Sequence, residues 1–542
     1  MKLSLKSRIV SAAAVVALAG TVVVGAPTAA NAAPQCATAS YVTQCAGVGA
    51  DGAPYLLIAA ANFNGTVLLW SHGVRPAIDI PATLAPVGPY TKTNAAVPGP
   101  GVPTDMSIVN KLVAAGYGVA GSGFSRQGIN TAEALAANKE LIATFKTKFP
   151  TTKTVIAWGQ SLGAMHAQML AEKNPELVDG VILGCPAANP QDALMAYFGD
   201  ALWGFKALFD PTIKVGGWSS DVATRTAEQY ANIGKILTVL SKLSAGLVTG
   251  AWPDTSSPAG KALEKAGIPS RSALLAVGLM AGVSTRSEHV DGTTGPAGAE
   301  ETYPLAIAPA VGVLENMGAT LNYGTMLIAD GEALAGGKVY DNTKTDYAAR
   351  IAADADIYSF ALSGNSAVAG IVAALAATPR ETADAAAVAK IPSIVGLSGK
   401  ISKPTLIFQV ESEKFVPASI VQWYIDTYAE QYAAEKAKAM AEAKKSRNYV
   451  APTNNLVVLW EKTAAKYSKF TAAGSPDLTA TPGAGTGHCT FTAAQWLAAA
   501  NLMTTTLTEG KFPLGGKITS AARKVGLSYD NKFRVPLFKS LQ

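Results

Sequence analysis

Apolar residues along the chain form two kinds of pattern, one typical of strands and one typical of helices. Short runs rich in β-branched residues predict strands, and segments with apolar residues at helical spacing predict helices. In the first third of the chain the predicted strands are residues 117–121, 153–158 and 180–185, and the predicted helices are residues 108–115, 131–148 and 162–174. Strands that alternate with helices indicate an α/β fold, in which helices cover both faces of a mostly parallel sheet.

An earlier segment contains a turn signal between two apolar runs. Residues 55–71 read YLLIAAANFNGTVLLWS, with Asn64 and Gly65 directly before the second run. Asn-Gly is a strong hairpin signal because both residues tolerate positive φ angles. We therefore predict a β-hairpin here.

The alternation lapses between about residues 187 and 402. This stretch is rich in Ala and Gly, and its helix-like blocks are residues 223–247, 270–283 and 349–377. The α/β pattern then returns, with predicted strands at 405–410 and 456–461 and predicted helices at 419–445 and 492–507. The simplest interpretation is one α/β domain interrupted by a large helical insertion. The predicted divisions are a first core part at 33–188, the insertion at 189–402, a second core part at 403–510 and a tail at 511–542.

The N-terminus has the form of an export signal. Lys2, Lys6 and Arg8 precede an apolar run, and Ala30-Asn31-Ala32 follows as a small-x-small cleavage site. The alternative is a membrane anchor, but the run is interrupted by polar residues and a span needs about 20 apolar residues. We predict a signal peptide at 1–32, cleavage near Ala32, a secreted protein and no stable membrane anchor.

Composition and charge indicate a globular protein and argue against a nucleic-acid partner. The chain has 542 residues, 49% of them hydrophobic, which is ample for a large core. Its formal charge of +6 includes the three cations of the signal, and the remaining lysines are scattered among acids. A nucleic-acid binder would concentrate basic residues on one face, so we expect no nucleic-acid partner.

The four cysteines are Cys36, Cys45, Cys185 and Cys489. An even number in an exported protein favours two disulfides over a metal site. Counting alone allows three pairings. Cys36 and Cys45 are close in sequence and could close a small loop, which leaves Cys185 for Cys489.

A candidate nucleophile lies between a predicted strand and a predicted helix. The motif is Gly159-Gln160-Ser161-Leu162-Gly163, a G-x-S-x-G pattern. Five letters alone arise by chance in a protein rich in Gly and Ser. The strand–turn–helix context is what the motif requires, and it favours Ser161 as a nucleophile over an inert turn serine.

A serine nucleophile needs a base, and the chain offers four histidines. His166 lies on the helix that follows Ser161 and would be turned away from it, as a packed or solvated residue. His289 lies in a polar loop of the insertion, where a surface role is expected. His488 follows the last predicted strand in the Gly-rich loop PGAGTGHCTFT and is the predicted general base, whereas His72 is expected to brace a loop.

The third member should be an acid after a strand between Ser161 and His488. The strand at 405–410 runs into ESEKFVP, which offers Glu411 and Glu413. Glu413 stands where the acid of a D-x-x-V-P turn would fall, so it is favoured. Glu411 remains the alternative, with a surface charge as its other role.

An oxyanion hole requires two backbone donors. The first is expected from Leu162, the residue after the nucleophile. The second is expected in the loop His72-Gly73-Val74-Arg75, which follows the strand at 66–71. Val74 is favoured, and Gly73 is the alternative.

These segments together resemble the α/β-hydrolase superfamily. In order along the chain they are NGTVLLWSHG, GYGVAGSGFS, WGQSLG, VILGCP, KPTLIFQVESEKFVP and GHCTFT. The chain is similar to secreted bacterial members with a G-H-C-x-F-T ending, which are regarded as serine esterases. The resemblance implies Ser161 and His488 as catalytic residues, the two oxyanion donors, and a helical cap between strands 6 and 7 of that fold. It departs from the commonest pattern in having Glu in place of Asp. It would also place Cys185 beside the nucleophile turn and Cys489 beside the base, which fits a Cys185–Cys489 disulfide.

The resulting hypothesis is an exported serine hydrolase that cleaves carboxylic esters through an acyl-enzyme. The substrate would be a small-molecule or polymeric ester, and no cofactor is expected, since the sequence contains no metal-ligand cluster or phosphate-binding loop. A secreted peptidase with the same triad and a catalytically silent binding protein are the alternatives. The sequence leaves the oligomeric state open.

Overall fold

The computed structural model describes residues 33–101, 105–187, 191–446 and 449–541. The predicted signal peptide at 1–32 lies outside the described residues. Within the described residues, no helix is both long and apolar enough to span a bilayer.

Nine strands of the described chain form one sheet, in the order β1-β2-β3-β5-β4-β6-β7-β8-β10. The strands are β1 (Gln35–Ala39), β2 (Val42–Val48), β3 (Pro54–Ala60), β4 (Thr66–Ser71), β5 (Gly118–Ser122), β6 (Thr154–Gln160), β7 (Gly180–Gly184), β8 (Thr405–Val410) and β10 (Leu456–Glu461). Pairing is antiparallel from β1 to β5 and parallel from β5 to β10. A separate two-stranded ladder joins β9 (Ser412–Glu413) to β11 (Thr486–Gly487). The mostly parallel sheet confirms the predicted fold class.

The predicted hairpin at 55–71 is wrong. The two runs do form strands, β3 and β4, but β5 lies between them in the sheet. Residue Leu57 of β3 pairs with Ala120 of β5 in antiparallel register, and Leu69 of β4 pairs with the same residue in parallel register. The Asn-Gly turn therefore joins two strands that are neighbours in sequence and not in space.

Helices cover both faces of the sheet. Those of the core are α1 (Ser107–Ala114), α2 (Thr131–Lys148), α3 (Leu162–Lys173), α14 (Ala418–Ser446), α15 (Ala493–Glu509) and α16 (Gly515–Arg523). Neighbouring residues of a strand face the two opposite sides of the sheet. Leu69 packs with residues of α2, α3 and α14, whereas Trp70 packs with residues of α1 and α15. This alternation follows from the period of two in a strand.

Helices also fill the interval between β7 and β8. They are α4 (Gln191–Leu208), α5 (Val222–Gly246), α6 (Pro258–Lys265), α7 (Ser270–Ala281), α8 (Thr302–Ala306), α9 (Ala308–Ala335), α10 (Tyr347–Ala355), α11 (Asn365–Ala376), α12 (Ala385–Val388) and α13 (Ile391–Val395). We call this segment the insertion. A buried carboxylate, Asp200, holds part of it together by accepting bonds of 2.6 Å from Tyr340, Tyr347 and Arg350.

The segment after residue 510 packs against both parts of the molecule. The backbone of Ser528 exchanges two hydrogen bonds of 2.8 Å with Trp460 of β10. Phe538 is buried against Tyr197 of the insertion, with ring centroids 6.0 Å apart. The predicted tail therefore contributes to the core.

Candidate active site

Ser161 lies on the sharp turn between β6 and α3. Its φ is 59° and its ψ is −126°, values that a side-chain-bearing residue rarely adopts. The Ser161 N–H donates to the Gly184 carbonyl at the end of β7, at 2.8 Å. The first N–H groups of a helix have no partner within that helix, so the Leu162 N–H, at the start of α3, is available beside Ser161.

The two glycines of the motif have no room for a side chain. A Cβ on Gly163 would overlap the Ser71 carbonyl of β4, and one on Gly159 would overlap the backbone of Gly163. The turn therefore sits directly against the neighbouring strand. This close approach explains why the sequence has Gly on both sides of Ser161.

Glu413 and His488 are brought together by the short β9–β11 ladder. Glu413 pairs with Gly487, the residue before His488. His488 Nδ1 lies 2.7 Å from Glu413 Oε1, and the Glu413 side chain is fully buried. The same carboxylate oxygen accepts the Phe415 N–H at 2.9 Å. A buried carboxylate beside Nδ1 favours the tautomer that carries its proton on Nδ1. The free lone pair of the imidazole is then on Nε2.

Glu411, the alternative acid, points elsewhere. Its Oε2 accepts the backbone N–H of Thr463 at 2.8 Å, so it ties β8 to the segment after β10. In the structure it is Glu413, and not Glu411, that contacts His488.

The loop after β4 runs beside Ser161. A Cβ placed on Gly73 would lie 3.9 Å from Ser161 Oγ and 3.2 Å from the Gln160 carbonyl oxygen. The ring of His72 lies behind this loop, with Nδ1 at 2.7 Å from the Gly73 carbonyl oxygen and Nε2 at 3.3 Å from that of Gly123. Burial, and then the nearby charge of Arg75, lowers the pKa of His72 to about 3, so its imidazole is neutral. A neutral imidazole has one N–H, and donation to the Gly73 carbonyl, the shorter contact, lets His72 brace the loop.

One cavity of about 250 Å³ is lined by four of the predicted site residues. Ser161, Leu162, Val74 and His488 all line it. Most of its other lining residues are apolar and come from the core and from helices α4 and α9: Trp70, Val97, Ile129, Ala187, Met195, Phe198, Leu327, Phe415 and Val416. The insertion thus forms part of the cavity wall.

A sequence model described as the alpha/beta hydrolase fold matches residues 117–266. The match includes the turn at Ser161, and the strand order and parallel register agree with it. The chain has the α/β-hydrolase fold. No curated protein sequence matches this chain.

Several solved esterase structures are similar to this chain at low identity. Feruloyl esterase B from Aspergillus oryzae is 13% identical, with a TM-score of 0.36 over 88% of this chain and 83% of the esterase. Tannin acyl hydrolase from Aspergillus niger is 12% identical, with a TM-score of 0.35 over 89% and 83%. The rice cell wall degrading esterase LipA from Xanthomonas oryzae is 11% identical, with a TM-score of 0.30 over 78% and 82%.

The remaining two histidines lie away from the cavity. His166 is fully buried against Phe124, and burial lowers its pKa to about 3. His289 differs from the expected surface role, because its side chain is only 14% exposed. Its Nδ1 lies 2.7 Å from Glu315 Oε1 and its Nε2 lies 3.1 Å from the Ala480 carbonyl oxygen, so it joins the insertion to the segment before His488.

The cysteines divide into one disulfide and two thiols. Cys36 and Cys45 face each other on β1 and β2 and form the predicted disulfide, with an S–S distance of 2.06 Å. The predicted Cys185–Cys489 disulfide is not present, since both residues are free and buried. Their sulfurs and a Glu413 carboxylate oxygen lie within 4.8 Å of one another. Burial raises the pKa of Cys185 to about 11 and that of Cys489 well above its usual value, so both sulfurs keep their protons. Cys489 Sγ instead lies 3.7 Å from the Gly184 carbonyl oxygen, in position to donate to it.

Sequence reasoning missed two features of the site. The β9–β11 ladder consists of two residues on each side, which is too short to leave a periodic signal. The contribution of α4 and α9 to the cavity depends on tertiary packing, and neither helix is among the predicted helical blocks of the insertion.

We predict that Gly163→Ala lowers the free energy of unfolding by about 1–3 kcal/mol, because the new methyl group would overlap the Ser71 carbonyl. Urea denaturation followed by circular dichroism measures the change. The matched control is Gly516→Ala in α16, where the methyl group meets open space and the helix should be as stable or more stable. Equal stability of the Gly163 variant and the wild type would contradict the packing described above.

We also predict two free thiols per chain. Iodoacetamide added to protein unfolded in guanidinium without reductant should modify Cys185 and Cys489 and leave Cys36 and Cys45 unmodified. Peptide mapping by mass spectrometry identifies the sites. Recovery of a peptide that links Cys185 to Cys489 would overturn this assignment.

Proposed function

We propose that this α/β-hydrolase is an exported serine hydrolase that cleaves carboxylic esters through a Ser161–His488–Glu413 triad and an acyl-enzyme. The observation that carries the proposal is the 2.7 Å contact between His488 Nδ1 and the buried Glu413, with His488 and Ser161 on the wall of one cavity. A hydroxyl becomes a nucleophile when an oriented base can take its proton. The disulfide between Cys36 and Cys45 supports export, because such bonds persist in oxidising compartments.

In the proposed reaction, Ser161 Oγ attacks the ester carbonyl carbon while His488 Nε2 takes the hydroxyl proton. The oxyanion that forms is stabilised by the Leu162 N–H and by the N–H of Val74, with Gly73 as the alternative. Collapse of this intermediate expels the alcohol, which receives the proton from His488. Water then attacks the acyl-enzyme with His488 again as base, so that the acid is released and Ser161 is restored.

Glu413 has an electrostatic and orienting role in this scheme. It accepts the second imidazole N–H, fixes the tautomer and stabilises the imidazolium that forms. Because the carboxylate is fully buried, its charge acts on His488 with little screening by water.

The cavity favours esters over peptides that are recognised by a free amine. An aminopeptidase needs a carboxylate to anchor the substrate ammonium group, and none is present among the described lining residues of the cavity. A catalytically silent binding protein would not require a nucleophile turn, a buried acid–imidazole pair and two candidate oxyanion donors around one cavity.

We predict that Ser161→Ala lowers kcat for p-nitrophenyl esters by about 10⁴-fold or more, because the nucleophile is lost. Initial rates at 405 nm across acyl chain lengths measure this, on the mature chain. Ser366→Ala is the matched control, since Ser366 is exposed on α11 and should keep wild-type activity. Equal rates for the Ser161 variant and the wild type, or activity on peptide amides alone, would refute the proposal.

We predict different effects for the two acids after β8. Glu413→Gln should lower kcat by about 10³–10⁴-fold with little change in KM, because the amide no longer fixes the imidazole tautomer. Glu411→Gln removes only a bond to a backbone N–H and should change kcat by less than about threefold. Thermal melting of both variants checks that they fold. A larger loss of kcat for Glu411→Gln than for Glu413→Gln would show that Glu413 is not the acid of the triad.

A further inference from the structure

A second cavity, of about 200 Å³, adjoins the cavity that contains Ser161. The two share the lining residues Val74, Arg75, Tyr323 and Leu327. The shared wall is continuous with the predicted base, because the Tyr323 ring packs against Phe415 at 4.7 Å and Phe415 packs against His488 at 4.9 Å. Arg75 and Tyr323 therefore contribute to the walls of both cavities.

The second cavity has an excess of positive charge. Its charged lining residues are Arg75, Arg126, Arg225 and Asp330. Asp330 already has partners, since one carboxylate oxygen pairs with Arg126 and the other accepts the Ile129 N–H at 2.7 Å. Arg225 interacts electrostatically with Asp330 and Asp221 without forming an ion pair with either, and Arg75 forms no ion pair with any described acid.

Arg75 and Arg225 are held in place by carbonyl groups only. Arg75 Nη1 donates to Ala95 at 2.9 Å, and Arg225 Nη1 donates to the Ser219 and Ser220 carbonyls at 2.9 and 3.0 Å. Neither arginine is in an ion pair with any described side chain. A guanidinium has five N–H donors, so each retains several for a ligand.

The charge of Arg75 costs free energy because its guanidinium lacks an opposite charge nearby among the described residues. Its side chain is half-buried in the loop that runs beside Ser161, and burial lowers its pKa because the cation loses contact with water. A buried charge is stabilised by an opposite charge with good hydrogen-bond geometry. The planar fork of Arg matches a carboxylate with two parallel bonds.

We propose that the second cavity binds a carboxylate at the far end of one arm of the ester substrate, held by Arg75 and Arg225. The inference rests on the proposed function and makes it more specific. The preferred substrate is then an ester with a free carboxylate, such as a half-ester of a dicarboxylic acid. The apolar middle of that arm occupies the first cavity, and its charged end lies in the second.

The test compares matched charged and neutral substrates. The charged set consists of mono-p-nitrophenyl esters of adipic, suberic and sebacic acid, whose chains are long enough to disfavour attack by their own carboxylate. The neutral set is the same esters with the free acid capped as a methyl ester. The measured quantity is the ratio of kcat/KM for the charged ester to kcat/KM for its capped partner. A substitution that disturbs the Val74 loop affects both substrates alike, so this effect cancels in the ratio.

We expect a ratio of about 10 or more for the best chain length in the wild type. Arg75→Gln and Arg225→Gln should each lower that ratio by about tenfold, which is the effect of losing one charge-assisted contact. The ratio should also fall as salt is added, because ionic strength screens the attraction. Arg523→Gln is the matched control, since Arg523 is exposed on α16 and its loss changes the net charge equally.

The possible failures are distinguishable. Turnover of capped esters with a ratio of 1 or less at every chain length would refute the carboxylate site and leave the esterase proposal intact. A ratio above 1 that Arg523→Gln lowers as much as Arg225→Gln would also refute the site, because the preference would then come from overall charge. No turnover of any ester in either set would refute the proposed function and this substrate class together.

Discussion

The backbone at Ser161 is held in a conformation that the residue would not choose alone. A φ of 59° with a ψ of −126° costs about 1–3 kcal/mol for a residue with a side chain, and only surrounding contacts maintain it. Those contacts are the close approach of Gly163 to β4, the approach of Gly159 to α3, and the bond from Ser161 to Gly184 on β7. Strands β4 and β7 and helix α3 therefore determine where one hydroxyl group lies, and the cavity and the loop at Gly73 are arranged around it.

The contact between Glu413 and His488 depends on a second set of contacts. The β9–β11 ladder aligns Glu413 with the residue before His488, and segments far apart in sequence hold that ladder in place. Lys414, beside the acid, pairs with Glu288 of the insertion at 2.5 Å, and the Glu288 carbonyl accepts the Gly483 N–H at 2.8 Å. Asp291, fully buried nearby, accepts the N–H groups of residues 467 and 468. The insertion thus supports the loops that carry Glu413 and His488 and also forms part of the cavity wall.

Much of the core was predictable because its periodic signals are local. Helix α2 has the predicted bounds, and the strand that precedes Ser161 differs by only one or two residues at each end. The long helix α9 was missed, because it is buried on most sides and its Ala- and Gly-rich sequence has no polar face to reveal a period of 3.6. The hairpin prediction failed because a turn signal says nothing about which strand becomes a neighbour. The second cavity was not foreseen, since Arg75, Arg126 and Arg225 come from three distant segments that meet only in the folded chain.

We propose that packing at this turn, together with the Glu413–His488 pair, makes Ser161 more reactive than an ordinary serine. Covalent labelling tests it most directly, without any assumption about the substrate. The native protein would be treated with a fluorophosphonate probe and digested, and the modified residue identified by mass spectrometry. We expect stoichiometric modification of Ser161 alone, and none once the protein has been unfolded before treatment. Labelling at another residue, or equal labelling of native and unfolded protein, would contradict it.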